Sequence, residues 1–168
     1  MAGFYTGRTG ALFLQTGGFT AAPNPAADNT DLKILKLRDW SLETTLELLE
    51  TTTIDTAVKS YTAGSVSATG SATVLYYRKA STTDPGLQFT SLLNPIMKTA
   101  STGVIDTTDK VGIVLRAGTQ GGTAPDIKDD IAFNAFITNA SIQVSTGELT
   151  SVGIQFTVDG AFFEIVDA

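Results

Sequence analysis

The sequence contains no cysteine and no histidine. The first absence rules out disulfides and thiol redox chemistry. Together the two absences remove the side chains on which most acid–base and nucleophilic catalysis runs, and both preferred ligands of zinc. Basic residues are also few: 11 Lys and Arg stand against 17 Asp and Glu, for a net charge of −6. A nucleic-acid-binding domain shows the reverse excess, because its cations must neutralise phosphates. The balance argues against tight DNA binding and is compatible with DNA passing along an acidic wall. Long apolar runs are missing too. The best, Ala11 to Leu14, is far too short to span a bilayer, and the N-terminus carries Arg8 but no apolar run of signal-peptide kind. No membrane association is expected, and the expected compartment is the cytoplasm of the producing cell.

What is present points to a packed β protein. The hydrophobic share of 42% against 17% charged places the chain among folded proteins rather than disordered ones. Abundant Thr, frequent Gly and dispersed Ile, Val, Leu and Phe favour strands and turns. A length of 168 residues fits one domain with one sizeable core. The clearest strand runs from Trp40 to Glu50: Trp40, Leu42, Thr44, Leu46 and Leu48 share one face, and Ser41, Glu43, Thr45 and Glu47 the other. Thr150 to Val158 alternates in the same way and forms a hairpin with Ala140 to Ser145 around Thr146-Gly147. A phase change near Ile137 predicts a bulge, and Asp159-Gly160 a second turn or kink before a last strand, Ala161 to Val166. Further strands are expected at Ala11–Gln15, Leu32–Leu37 and Gly70–Arg78, and from Val104, Val111, Ile113 and Leu115, with Ala21–Asp31 and Thr51–Thr69 as loops. The helix candidate is Leu87–Lys98, where Phe89, Leu92, Leu93 and Ile96 have helical spacing and Pro95 limits the length.

No catalytic constellation emerges. Asp126, Asp129 and Asp130 lack a calcium-loop template, as do Asp106 and Asp109, and read as loop carboxylates. Gly118, Gly121 and Gly122 lack the strand–loop–helix context and the Lys of a phosphate loop. The expectation is therefore no enzyme, no cofactor and no metal. More telling are the polar faces of the C-terminal hairpin, which carry Ser, Thr and Gln rather than Lys or Glu. A neutral, hydroxyl-rich sheet face suits a lumen or a subunit contact. Unpaired strand edges must in turn be covered, or paired with another chain.

These segments resemble a known family. Leu37-Arg38-Asp39-Trp40-Ser41-Leu42-Glu43, Lys59-Ser60-Tyr61-Thr62-Ala63-Gly64, Ala68–Thr73 with Leu75-Tyr76-Tyr77, and the closing stretches Ala140–Val152 and Phe156–Gly160 are similar to phage tail tube proteins. The resemblance covers most of the chain after Asp31, while Gly3–Asp31 departs from it. It implies an all-β fold with one short helix: a single domain over residues 1–168, with 1–31 as an arm and loop, built as a β-sandwich or barrel-like subunit whose inner sheet joins a ring-wide β-barrel. It implies hexameric rings stacked into a hollow virion tube, assembled in the host cytoplasm. The tube would enclose a tape-measure protein, meet tail terminator and baseplate or tail-tip proteins, and a sheath if contractile, and pass DNA transiently. On this basis Glu43, Glu47, Ser141, Gln143, Ser151, Gln155 and Thr157 are expected to face the lumen, and Asp55, Lys59, Tyr61 and Gly64 to lie in a loop reaching the next ring. The same design serves contractile and non-contractile tails, bacteriocins, gene transfer agents and secretion-system tubes; a monomeric β-sandwich adhesin is the alternative from another class.

Overall fold

The computed structural model describes residues 10–23, 33–34, 37–52, 58–75, 93, 95–98, 103–120 and 127–163. Seven strands account for most of them: β1 (Ala11–Thr16), β2 (Lys33–Ile34), β3 (Leu37–Glu50), β4 (Tyr61–Leu75), β5 (Val111–Gln120), β6 (Ile127–Gln143) and β7 (Ser151–Phe163). They form one sheet of order β2-β1-β5-β6-β7-β4-β3, antiparallel at every step. The all-β expectation holds. The strands at Ala11, Trp40, Val111 and the C-terminal hairpin fall where alternation put them, with Gly147 at φ 87° in the Thr146-Gly147 turn.

The sheet curls over a single principal core. Leu12 and Leu14 of β1 pack in the same cluster as Val111, Ile113 and Leu115 of β5, Phe133 and Ile137 of β6, Val152, Ile154 and Phe156 of β7, and Ala72 and Val74 of β4. Trp40 and Leu42 of β3 lean on its rim, so β1 and β3 come together although they lie near opposite ends of the strand order. The rings of Phe133 and Phe156 stack at 5.7 Å. Phe156 lies against Gly70 on the neighbouring strand, where an added Cβ would stand 2.5 Å from the ring and from the Ser41 carbonyl. Only glycine leaves that space open.

The opposite sheet face is divided. Over β5 and the first half of β6 it carries a second, smaller cluster of Phe19, Val114 and Ala132, with Phe13 and Phe163 beside it. The chain after β1 crosses this face as a strap. Asn134 holds the strap by its backbone: its Oδ1 accepts from the Phe19 N–H at 2.6 Å and its Nδ2 donates to the Phe19 carbonyl at 3.0 Å. The Phe19 ring lies directly over Gly112, where a Cβ would sit 2.7 Å from it. Arg116 and Asp130, opposite each other on β5 and β6, form a bidentate pair at 2.7 and 2.6 Å on the same face, with the guanidinium 4.9 Å from the Phe13 ring centre.

Bulges divide the long strands. The register of β6 against β7 shifts between Ile137 and Asn139, as the phase change in the sequence anticipates. The Asp159-Gly160 kink is a bulge rather than a turn: Gly160 takes φ 82° and β7 continues to Phe163. Val104 lies outside any strand and is exposed. Of the helix expected over 87–98, the described residues show one helical turn, with the Met97 N–H donating to the Leu93 carbonyl at 2.8 Å and Leu93 in the core; Phe89, Leu92 and Asn94 lie outside the described residues, as do Tyr76, Tyr77 and Arg78. A short 3-10 helix, Thr107–Asp109, is capped by Asp106 in a capping box. Among the described residues, no helix is long and apolar enough to cross a membrane.

Candidate functional site: a polar sheet face with two open edges

The uncovered part of the second sheet face belongs to β3, β4, β7 and the latter half of β6. Residues paired across antiparallel strands project to the same side. The registers Glu43↔Thr69, Ser41↔Ser71, Thr69↔Thr157, Ser71↔Gln155, Ser141↔Gly153 and Gln143↔Ser151 therefore lie on one face. That face is opposite Trp40, Leu42, Ala72, Val152, Ile154 and Phe156, which turn to the core. Glu47 continues the series along β3, and its Oε2 accepts from the Ser65 hydroxyl at 2.9 Å. The structure thus brings Glu43, Glu47, Ser141, Gln143, Ser151, Gln155 and Thr157 onto one shared surface. Its middle is a shallow groove of about 350 Å³ between Ser41, Glu43, Thr138 and Gln155. The Ser41 and Ser71 hydroxyls meet at 2.9 Å, and the Thr138 hydroxyl donates to the Gln155 carbonyl at 3.3 Å. Hydroxyls satisfying one another leave a surface of neutral dipoles, with Asp39, Glu43 and Glu47 as the carboxylates along β3.

Among the described residues, both sides of this four-stranded patch end in open backbone. β3 terminates the strand order. On the other side β5 pairs with β6 only from Ile127 to Ala135, so among the described residues nothing pairs with Phe136–Gln143 on the side away from β7. The two open edges run antiparallel to each other, because three antiparallel steps separate β6 from β3.

The loop expectation needs correction. Tyr61 and Gly64 are strand residues of β4, with Tyr61 opposite Glu50 and Gly64 beside Glu47, so the connection is Thr51–Ser60 rather than Thr51–Thr69. It is closed by a 2.9 Å bond from the Thr51 N–H to the Ser60 carbonyl, and Ser60 N–H donates to Thr52 Oγ1 at 3.0 Å. Lys59 lies in it, 3.6 Å from Glu50. Asp55 falls outside the described residues. Because β7 meets β4 only from Thr69 to Leu75, the rest of β3 and β4 projects as a two-stranded ribbon. Its large apolar side chains are exposed, Leu48 at 57% and Val66 at 65%.

Of the acidic residues expected in loops, Asp126 lies outside the described residues, and Asp129 and Asp130 are strand residues of β6. Asp130 pairs with Arg116. The Asp106 carboxylate accepts from the Thr108 hydroxyl and N–H, which holds its pKa below the usual carboxylate value. Asp109 is lowered first by its bond from Lys98 and then by the Asp106 N–H. Among the described residues no group of three or more acidic side chains converges as a metal site would. Sequence reasoning missed two structural residues, Asn134 and Arg116. The available signal was polar side chains four apart, Asp130 and Asn134, inside an apolar strand.

No family model matches the sequence, and no curated protein does. Solved structures do match in fold. The SPP1 tail tube, solved by solid-state NMR and cryo-EM, superposes with a TM-score of 0.58 at 12% identity, over 97% of this chain and 81% of that one. A chain of the virion of a native gene transfer agent particle gives 0.54 at 11% identity, covering 90% and 93%. The tail of an empty particle of that kind, refined with C6 symmetry, gives 0.54 at 14%, covering 92% and 96%. This is the fold of tail tube proteins. Within that class the chain is similar both to a phage tube and to a gene transfer agent tail.

Proposed function

We propose that the chain is the structural subunit of a tail tube rather than an enzyme. Six copies close into a ring, each laying its β3 edge against the open half of β6 on the next. The observation that supports this most is the four-stranded patch itself, with antiparallel open edges on both sides and a continuous hydroxyl-rich face. Edge-to-edge pairing of such patches repeats the antiparallel pattern without a break and removes both exposed edges. The number six follows the C6 symmetry of the similar gene transfer agent tail. Four strands from each of six copies, at about 4.8 Å spacing and about 40° tilt, give a barrel roughly 50 Å across between backbones. After side chains, that leaves a channel wide enough for a DNA duplex.

In this reading the polar face lines the channel, and Glu43, Glu47, Ser141, Gln143, Ser151, Gln155 and Thr157 are its lumen residues. A wall of hydroxyls, amides and carboxylates, with Arg38 the one cation among the described residues beside Gln143 and Ser151 at its end, gives passing phosphates few cations to exchange for counterions, so DNA moves without sticking. Rings stack through the β3–β4 ribbon and its Thr51–Ser60 connection, with Lys59, Tyr61, Gly64 and Asp55 near the contact. The assembled tube sits in a virion or gene-transfer tail built in the host cytoplasm. There it encloses a tape-measure protein and joins terminator and tip proteins. Negative-stain imaging with native mass measurement of the purified chain tests this. Six-membered rings and tubes are expected, and a chain that stays monomeric at high concentration refutes it.

A further inference from the structure

The strap over β5 and β6 is held differently from the strands beneath it. It leaves β1 at Thr16, and the chain is back beside β1 at Lys33, opposite Leu14. Both of its roots therefore lie along one strand, and no ladder bond of the sheet has to break for it to lift. Gly17 and Gly18 begin it at φ 85° and 76°, a left-handed pair that residues with a Cβ resist. Gly17 is exposed, with open space where a side chain would stand. Three hydrogen bonds then hold the backbone: Gly17 N–H donates to the Lys110 carbonyl at 3.0 Å, and Asn134 makes its two bonds to Phe19. Thr20, Ala21 and Ala22 are exposed; Phe19 and Pro23 are buried. The Phe19 ring meets Phe163 edge-on at 6.0 Å.

We propose that the strap is a lid, which swings open about Gly17–Gly18 while the sheet stays folded, and that Asn134 is its latch. Three bonds and two buried side chains are a small part of what holds seven strands together. Segments held so lightly open at a free energy well below that of global unfolding. The latch chemistry suits such a lid. One Asn amide carries both a donor and an acceptor, so it satisfies both backbone groups of Phe19 as a neighbouring strand would. When the strap lifts, that amide and the Phe19 backbone return to water, and no polar group is left dry and unpaired. An apolar side chain in its place would leave a closed strap with an N–H and a carbonyl unsatisfied. Phe13, Val114, Ala132 and Phe163 cluster with Phe19. Closed, the strap withholds this apolar patch from other chains; open, it bares it.

Native-state hydrogen exchange of the full chain tests the lid. The Phe19 amide should exchange about a hundredfold or more faster than the paired amides of β5 and β6, at a rate that low denaturant barely alters. Asn134→Leu removes two hydrogen bonds and should raise that rate about thirtyfold, with β5 and β6 still protected. The same variant should be cut by chymotrypsin after Phe19 and should take up more apolar fluorescent dye than the native chain. A Phe19 amide that exchanges only together with the sheet overturns the lid. So does an Asn134→Leu variant whose exchange and cleavage are unchanged, or one that unfolds outright, because a strap that opens alone does not take the sheet with it. Fast exchange without added dye uptake overturns the shielding of the patch.

Discussion

Replacing Asp130 by Asn should be among the most destabilising single changes available outside the core. The two partners are well shielded: the Arg116 side chain is 11% exposed and that of Asp130 2%. Two parallel bonds join them, and the Phe13 ring covers the guanidinium. Loss of the carboxylate charge leaves a buried cation without a counterion, a change that costs about 3–5 kcal/mol. For a chain of this length each kcal/mol moves the midpoint by about 2–4 °C, so a fall of roughly 6–20 °C is expected. Removing both charges tells more. Arg116→Leu with Asp130→Leu also eliminates the desolvation of two ions, and buried pairs replaced this way are often neutral or better. The double variant should therefore recover most of the loss, read by thermal and denaturant unfolding of the unassembled subunit. A single variant within about 1 kcal/mol of the native chain, or a double variant no more stable than the singles, contradicts the reasoning.

Glu43→Lys with Glu47→Lys should leave tubes intact and slow or block DNA delivery by particles that carry them, with partial relief at high salt; normal delivery removes these residues from the lumen. Gly70→Ala should cost about 1–3 kcal/mol by forcing Phe156 from its place over the strand, measurable as a lower denaturant midpoint. Asp109 titrates below the usual carboxylate value because Lys98 and the Asp106 N–H bond its charged form. Its folded pKa is depressed, so its contribution is complete above the unfolded pKa and is lost as pH falls through the folded one. Acid unfolding of the native chain should therefore show a destabilisation in that low-pH window that Asp109→Asn lacks.

Much of the sheet was legible because one face of each strand meets the core. Trp40 and Leu42, or Val152, Ile154 and Phe156, must recur every second residue to reach it. The bulge at Ile137 could be seen because it shifts that period. Tyr61–Thr69 was read as loop for the converse reason. Its Thr, Ala, Gly and Ser residues belong to a ribbon with no core beneath most of it, so nothing in the subunit imposes alternation. The sharing of one face by Glu43, Ser141 and Gln155 followed from pattern alone. The open half of β6 did not, since which strand stops pairing where depends on β5 ending its register at Ala135. Asn134 and Arg116 went unnoticed, because only the strap and the opposite strand reveal their partners.

The two halves of β6 carry a mechanical consequence. One continuous backbone runs from the Arg116-paired segment, through the shift at Ile137, into the half with a bare edge. In a ring of the kind proposed above, hoop tension crosses the ladder hydrogen bonds between strands. Within a copy those ladders are backed by the shared core and the connecting chain, whereas a seam between the β3 edge and the β6 edge has only its own bonds. Such a wall parts at its seams before its subunits unfold, so its bursting limit is set by edge pairing and not by the melting of a single chain.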